Sequence, residues 1–210
     1  MDGTAARHEA GEILAELPER ISDVIKPFAR HRPDLPALVQ DDVTWTYAEL
    51  AAVVADTALI LQLYDIRPGD RVMIVSENSL ALAALIFACS EIDAWSVVVN
   101  PRLSPREVDL MRSHSGARRV FYTIEVSDAA RRHAERHDAE IAVPGGLGTL
   151  GVGPLNWDAV PEPVEVDRSR RVAALVYTSG TSGNPKRGDA DPSQRAVQRA
   201  GNGRTAWTDG

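Results

Sequence analysis

The sequence predicts a layered α/β fold on three observations. Short apolar, β-branched runs alternate with longer stretches of helical pattern, and turns rich in Pro, Gly and Asp separate them. The chain is also long enough, at 210 residues with 44% hydrophobic content, to bury a sizeable core as one large domain or two small ones.

Taken in order, Ile21 to Phe28 predicts a short amphipathic helix, and Pro33 and Pro36 break it before a strand over Ala37 to Gln40. Thr46 followed by Glu49 has the spacing of a capping box. The Thr oxygen accepts an early helix N–H and the Glu returns to the cap's own N–H, so a helix from Tyr47 to about Leu63 follows. Pro68, Gly69 and Asp70 form a turn into a buried strand, Val72 to Val75. Ser79 to Ser90 predicts a mostly buried helix, Trp95 to Val99 a strand, and Ser104 to Ser113 a helix with Pro105 in its favoured first position. Val120 to Thr123 is a further strand, Ser127 to His137 a charged helix and Ile141 to Val143 a short strand. Pro144 to Pro154 has no period and is expected to be a loop. A final apolar run, Val172 to Tyr177, feeds directly into a Gly/Ser/Thr segment.

Composition narrows the function classes. A net charge of -7 and a pI near 5.3, with no basic face, argue against a nucleic-acid partner, because phosphate backbones are held by clustered Lys and Arg. The single cysteine, Cys89, excludes a disulfide framework within one chain and is expected in the core, which suits a cytoplasmic location. Met1 to Glu16 carries four acidic residues and lacks the shape of a signal peptide. The longest apolar run, Leu80 to Cys89, is about half of the ~20 residues a membrane-spanning helix needs, so no transmembrane segment is expected.

The chemistry is expected in Tyr177 to Lys186, Y-T-S-G-T-S-G-N-P-K. Gly180 and Gly183 permit positive φ and close backbone approach, so successive N–H groups can form a nest for anionic oxygens. Thr178, Ser179, Thr181 and Ser182 add hydroxyl donors, and Lys186 adds a full positive charge. By composition alone the segment also fits a flexible surface linker. No Gly-Lys-Ser/Thr follows the glycines at Walker A spacing, which disfavours P-loop chemistry.

The order T-S-G-T-S-G-N-P-K after a strand resembles the phosphate-binding signature of the acyl-adenylate-forming, AMP-binding ligases: acyl-CoA synthetases, luciferases and peptide-synthetase adenylation domains. Three weaker motifs precede it in the family's order. They are W-T-Y-A-E-L at Trp45 to Leu50, R-P-G-D-R-V at Arg67 to Val72 and N-P-R-L-S at Asn100 to Ser104. Together they carry the resemblance over most of Ala37 to Lys186, most thinly between Ser127 and Arg171. The sequence departs from the pattern at Val98, where relatives often have Pro, at Ile92 and Asp93, where they often have Ala and Gly, and at Ser182, where many have Thr.

The resemblance implies an incomplete N-terminal domain of an adenylate-forming enzyme, spanning residues 1–186. It implies ATP with Mg2+, a carboxylic acid and coenzyme A as reactants, and a place in fatty acid metabolism. In that family the carboxylate attacks the α-phosphate of Mg-ATP, pyrophosphate leaves, and a thiol such as that of coenzyme A takes the acyl group. Thr178, Ser179, Gly180, Thr181, Ser182, Gly183 and Lys186 would hold the departing phosphates. No catalytic residue and no metal ligand is assigned.

After Lys186 the text changes to R-G-D-A-D-P-S-Q-R, with no apolar period, and residues 187–210 are expected to form a disordered tail. Permitted codons for Arg187 to Arg195, with the first base omitted, include a reading G-V-M-L-T-H-R-N, which is the family's expected continuation. An out-of-frame tail is compatible with this. The later adenine, ribose and acyl-pocket segments are then missing, and the chain is expected to be inactive alone. The alternative is a non-catalytic nucleotide-binding or interaction module derived from the same family.

Other residues carry no functional assignment. His133 and His137 stand one helical turn apart but lie among Arg131, Arg132, Glu135, Arg136 and Asp138, which predicts a solvated face and not a metal site. Glu77 and Glu91 flank an apolar helix with no identifiable partner, and Trp45 and Trp95 are expected in the core.

Overall fold

The structure, a computed structural model, describes residues 18–166, 171, 172, 174–176, 198 and 199. The predicted helix over Ile21 to Phe28 divides into a 3-10 turn, Ile21–Val24, and helix α1, Lys26–His31. The division falls at Pro27, whose missing N–H suits a helix start and not its interior. Strands β1 (Pro36–Gln40) and β2 (Val43–Thr46) then form an antiparallel hairpin of their own, and β2 was not predicted.

Helix α2, Tyr47–Leu63, starts at the predicted capping box: Glu49 N donates to Thr46 Oγ1 over 3.2 Å and Thr46 N to Glu49 Oε2 over 2.8 Å. Strand β3 (Arg71–Val75), helix α3 (Leu80–Glu91), strand β4 (Trp95–Val99), helix α4 (Pro105–Ser115), strand β5 (Arg119–Tyr122) and helix α5 (Asp128–Arg136) alternate as expected. Ser79, Ser104 and Ser127 cap the three helices, and Gly116 ends α4 in the left-handed conformation.

Strand β6 (Glu140–Ala142) is followed by β7 (Leu150–Val152), which corrects the expected loop over Pro144 to Pro154. All three β7 residues are buried, and β7 pairs antiparallel with both β5 and β6. Its glycine hid it from a composition-based reading. A Cβ on Gly151 would stand 2.9 Å from the Cβ of Ala134, so the glycine lets α5 pack directly on the strand. Strand β8 (Ala174–Val176) pairs parallel with β4, and β9 (Gln198–Arg199) pairs antiparallel with β8. The rest of the predicted tail lies outside the described residues.

The main sheet runs β6-β7-β5-β3-β4-β8-β9, with β5, β3, β4 and β8 parallel. The central strands β3, β4 and β5 alternate between two cores. Val72, Ile74 and Phe121 face α2 and α3, with Leu61, Leu85, Ala88 and Cys89 around them, while Met73, Val75, Val97 and Tyr122 face α4 and α5, with Val108, Ala130 and Ala134. Trp45 and Trp95 are partly buried against these clusters.

The R-P-G-D segment is a structural joint. The fully buried Asp70 carboxylate accepts Arg67 N at 2.8 Å and the Arg67 guanidinium at 3.0 Å twice, and the Asp70 carbonyl accepts Trp95 N at 2.8 Å. Gly69 has φ +81, and a Cβ there would stand 1.9 Å from the carbonyl oxygen of Glu162. Asp93 adopts φ 56, and its carboxylate receives Arg20 Nε at 2.9 Å and Nη2 at 2.7 Å.

Candidate functional site

In a parallel sheet the connections that leave the carboxyl ends of the strands gather on one edge, and ligands bind where successive connections turn to opposite faces. That point lies at β3. The chain leaves β3 into α3 on one face, and leaves β4 and β5 into α4 and α5 on the other. Strand β8 lies beside β4 in parallel register, Val98 opposite Val176, so the chain leaves β8 at the same edge as Asn100 after β4 and Ser76 after β3.

Three connections at this edge are tied together by polar side chains. Thr123, just past β5, donates its hydroxyl to Ser76 Oγ over 2.8 Å, and Ser76 Oγ donates to the Glu77 carbonyl over 2.6 Å. The Glu77 carboxylate accepts Ser127 Oγ at 3.2 Å and Arg102 Nη2 at 3.1 Å. Arg102 N in turn donates to Asn100 Oδ1 over 2.9 Å. The Arg102 hydrogen bond holds Glu77 below the usual carboxylate range, so the carboxylate is ionised at neutral pH. From the hairpin, Gln40 Oε1 accepts Leu80 N at 2.8 Å at the start of α3. These groups are committed to one another. They form a scaffold that fixes the edge where β8 exits.

Sequence reasoning left Glu77 without a partner, and it missed Ser76, Thr123 and Ser127 as a group. The available signal was a small polar residue directly after each of β3, β4 and β5, namely Ser76, Asn100 and Thr123. The predicted phosphate-holding residues Thr178, Ser179, Gly180, Thr181, Ser182, Gly183 and Lys186 lie outside the described residues, beyond the end of β8.

The histidine expectation is corrected. His133 and His137 are 5% and 6% exposed and make hydrogen bonds inside the protein, so they do not lie on a solvated face. The α5 positions around them carry the charge: Arg131, Arg132 and Glu135 are exposed, while the histidines and Ala130 and Ala134 turn inward. Among the described residues no group of three His, Cys, Asp or Glu side chains is arranged to hold a metal ion, and no helix is long and apolar enough to cross a membrane.

Parallel strands alternating with helices on both faces of one sheet define a layered α/β class, and the comparisons with known proteins give the family. The AMP-binding enzyme family matches residues 25–187, and the chain belongs to it. A long-chain-fatty-acid–CoA ligase of Mycobacterium tuberculosis is 31% identical over 179 residues, covering 80% of this chain and 34% of that protein. A feruloyl-CoA synthase of an Amycolatopsis species is 37% identical over 161 residues, covering 75% of this chain and 30% of that protein. Among solved structures, the inhibitor-bound N-terminal domain of FACL13 from Mycobacterium tuberculosis superposes with a TM-score of 0.59 at 26% identity, covering 79% of this chain and 42% of that one. The chain thus spans about a third of the length of the curated relatives it matches.

Proposed function

We propose that this chain is the nucleotide-phosphate-binding front part of an ATP-dependent acid–thiol ligase. The observation that carries the proposal is the family match over residues 25–187, which takes in the whole of Thr178 to Lys186. The backbone N–H groups around Gly180 and Gly183, the hydroxyls of Thr178, Ser179, Thr181 and Ser182, and the Lys186 ammonium would take the β- and γ-phosphates of Mg-ATP. Charge builds on the pyrophosphate as a carboxylate attacks the α-phosphate. Donors fixed ahead of the reaction would stabilise that charge without reorganising, and would position the nucleotide in line with the attack. Coenzyme A is the thiol acceptor, which the acyl-CoA ligases among the relatives support.

The chain alone is expected to catalyse no exchange, because it spans about a third of the length of the relatives it matches. ATP–pyrophosphate exchange across a panel of carboxylates tests this, together with ATP binding by the chain and by Lys186→Ala. Binding that Lys186→Ala abolishes supports the loop assignment, and binding that survives the substitution sinks it. Binding without exchange in every acid also fits the alternative, a non-catalytic nucleotide-binding module. The family match ends at residue 187, where the text of the chain changes, which supports an out-of-frame origin for residues 187–210. Sequencing of the gene around the Lys186 codon decides that point.

A further inference from the structure

Two inward histidines, His133 on α5 and His137 at its C-terminal cap, hold different parts of the molecule. His133 Nε2 lies 3.0 Å from the carbonyl oxygen of Pro101 and 3.2 Å from that of Leu103, in the connection that leaves β4 at the carboxyl edge. Carbonyls only accept, so Nε2 carries the proton and straps this connection to α5. One turn on, His137 Nε2 lies 2.7 Å from Asp109 Oδ1 on α4, and its Nδ1 lies 2.5 Å from the hydroxyl of Tyr122 on β5.

Asp109 is ionised. Burial raises its pKa, but the hydrogen bonds from Arg136 and His137 outweigh that and leave it below the usual range. A carboxylate only accepts, so His137 is the neutral Nε2–H tautomer and its Nδ1 accepts the Tyr122 hydroxyl proton. A proton added to Nδ1 would meet that hydroxyl head-on. The phenol oxygen would then accept from Nδ1–H, and the hydroxyl proton would have to rotate away inside a fully buried residue whose hydrogen-bond partner among the described residues is His137. The charged groups around His137 divide: Asp109 attracts an added positive charge, while Arg136 from α5 and Arg112 from α4 repel it.

We propose that His137 is a proton-sensing latch, whose protonation leaves the buried Tyr122 hydroxyl proton without its acceptor, weakening the hold of α5 on β5 and loosening, through His133, the Pro101–Leu103 connection at the carboxyl edge. The latch rests on this geometry alone and stands apart from the ligase assignment. Burial, helped by Arg136 and Arg112, lowers the imidazole pKa in the folded state, against the pull of Asp109. The latch therefore contributes fully above the unfolded value of about 6.5 and weakens as the pH falls from there toward the folded value.

Histidine C–H resonances of the full 210-residue chain, followed by NMR against pH, test the latch together with hydrogen exchange at the Arg102 and Leu103 amides. The His137 signal is expected to titrate below the ordinary imidazole range. Protection of the Leu103 amide, corrected for intrinsic exchange, is expected to fall about tenfold per pH unit between the two midpoints. Asp109→Asn should move the His137 midpoint further down. His137→Gln, which keeps a donor toward Asp109 but has no proton to gain, should leave Leu103 protection independent of pH. A wild-type His137 midpoint at or above the ordinary value overturns the proposal, as does Leu103 protection that stays constant through the titration. The wild-type measurement decides alone if a variant fails to fold.

Discussion

Thr123 and Ser76, 47 residues apart, share a buried hydroxyl–hydroxyl hydrogen bond of 2.8 Å that joins the exits of β5 and β3. Thr123→Val keeps the shape and removes the donor, leaving the buried Ser76 oxygen one partner short. The cost is expected to be about 1 kcal/mol, or roughly 2–4 °C in Tm. An unchanged Tm would show that the tie carries no stability.

Gly69→Ala is expected to be much more damaging. The new Cβ would lie 1.9 Å from the Glu162 carbonyl oxygen at a positive φ, so both the joint and the segment packed on it must shift. A loss of about 2 kcal/mol or more is expected in denaturant unfolding. A midpoint matching the parent would refute the close approach.

Asp93 separates backbone strain from side-chain contact. Asp93→Gly relieves the left-handed backbone but loses the forked Arg20 contact, and the two effects are expected to leave stability within about 1 kcal/mol of the parent. Asp93→Ala loses the contact and keeps the strain, so it should fall about 1 kcal/mol or more below the Gly variant. Equal stabilities for the two variants would count against the strain.

Cys89 is fully buried on α3, and burial pushes its thiol up to about 12. The thiolate is the reactive form, so a thiol reagent at pH 8 is expected to label the native chain only as it unfolds. Labelling that follows the denaturation curve supports this placement. Rapid modification of the native chain would contradict it.

Much of the fold is legible locally. The capping box at Thr46, the helix starts at Ser79, Ser104 and Ser127 and the Pro at the start of α4 are signals within a single turn, and the structure realises each of them. The strand β7 was not legible, because three residues with a central glycine carry no period, and their role appears only when Gly151 is seen against Ala134. The edge network was invisible for a different reason. Glu77 finds Arg102 and Ser127 at separations of 25 and 50 residues, and that meeting depends on β5 lying on the far side of β3 from β4.

The sequence by itself determined the alternation of strands and helices, the helix starts and the kinship carried by Thr178 to Lys186, because hydrophobic period, caps and turns act over a few neighbouring residues. Only the tertiary structure decided strand order, the shared edge from which β4 and β8 exit, and the inward turn of His133 and His137. A charged helix looks solvated along its sequence. Which of its residues lose water depends on the surface it packs against, and for α5 that surface is β5, β7 and the connection after β4.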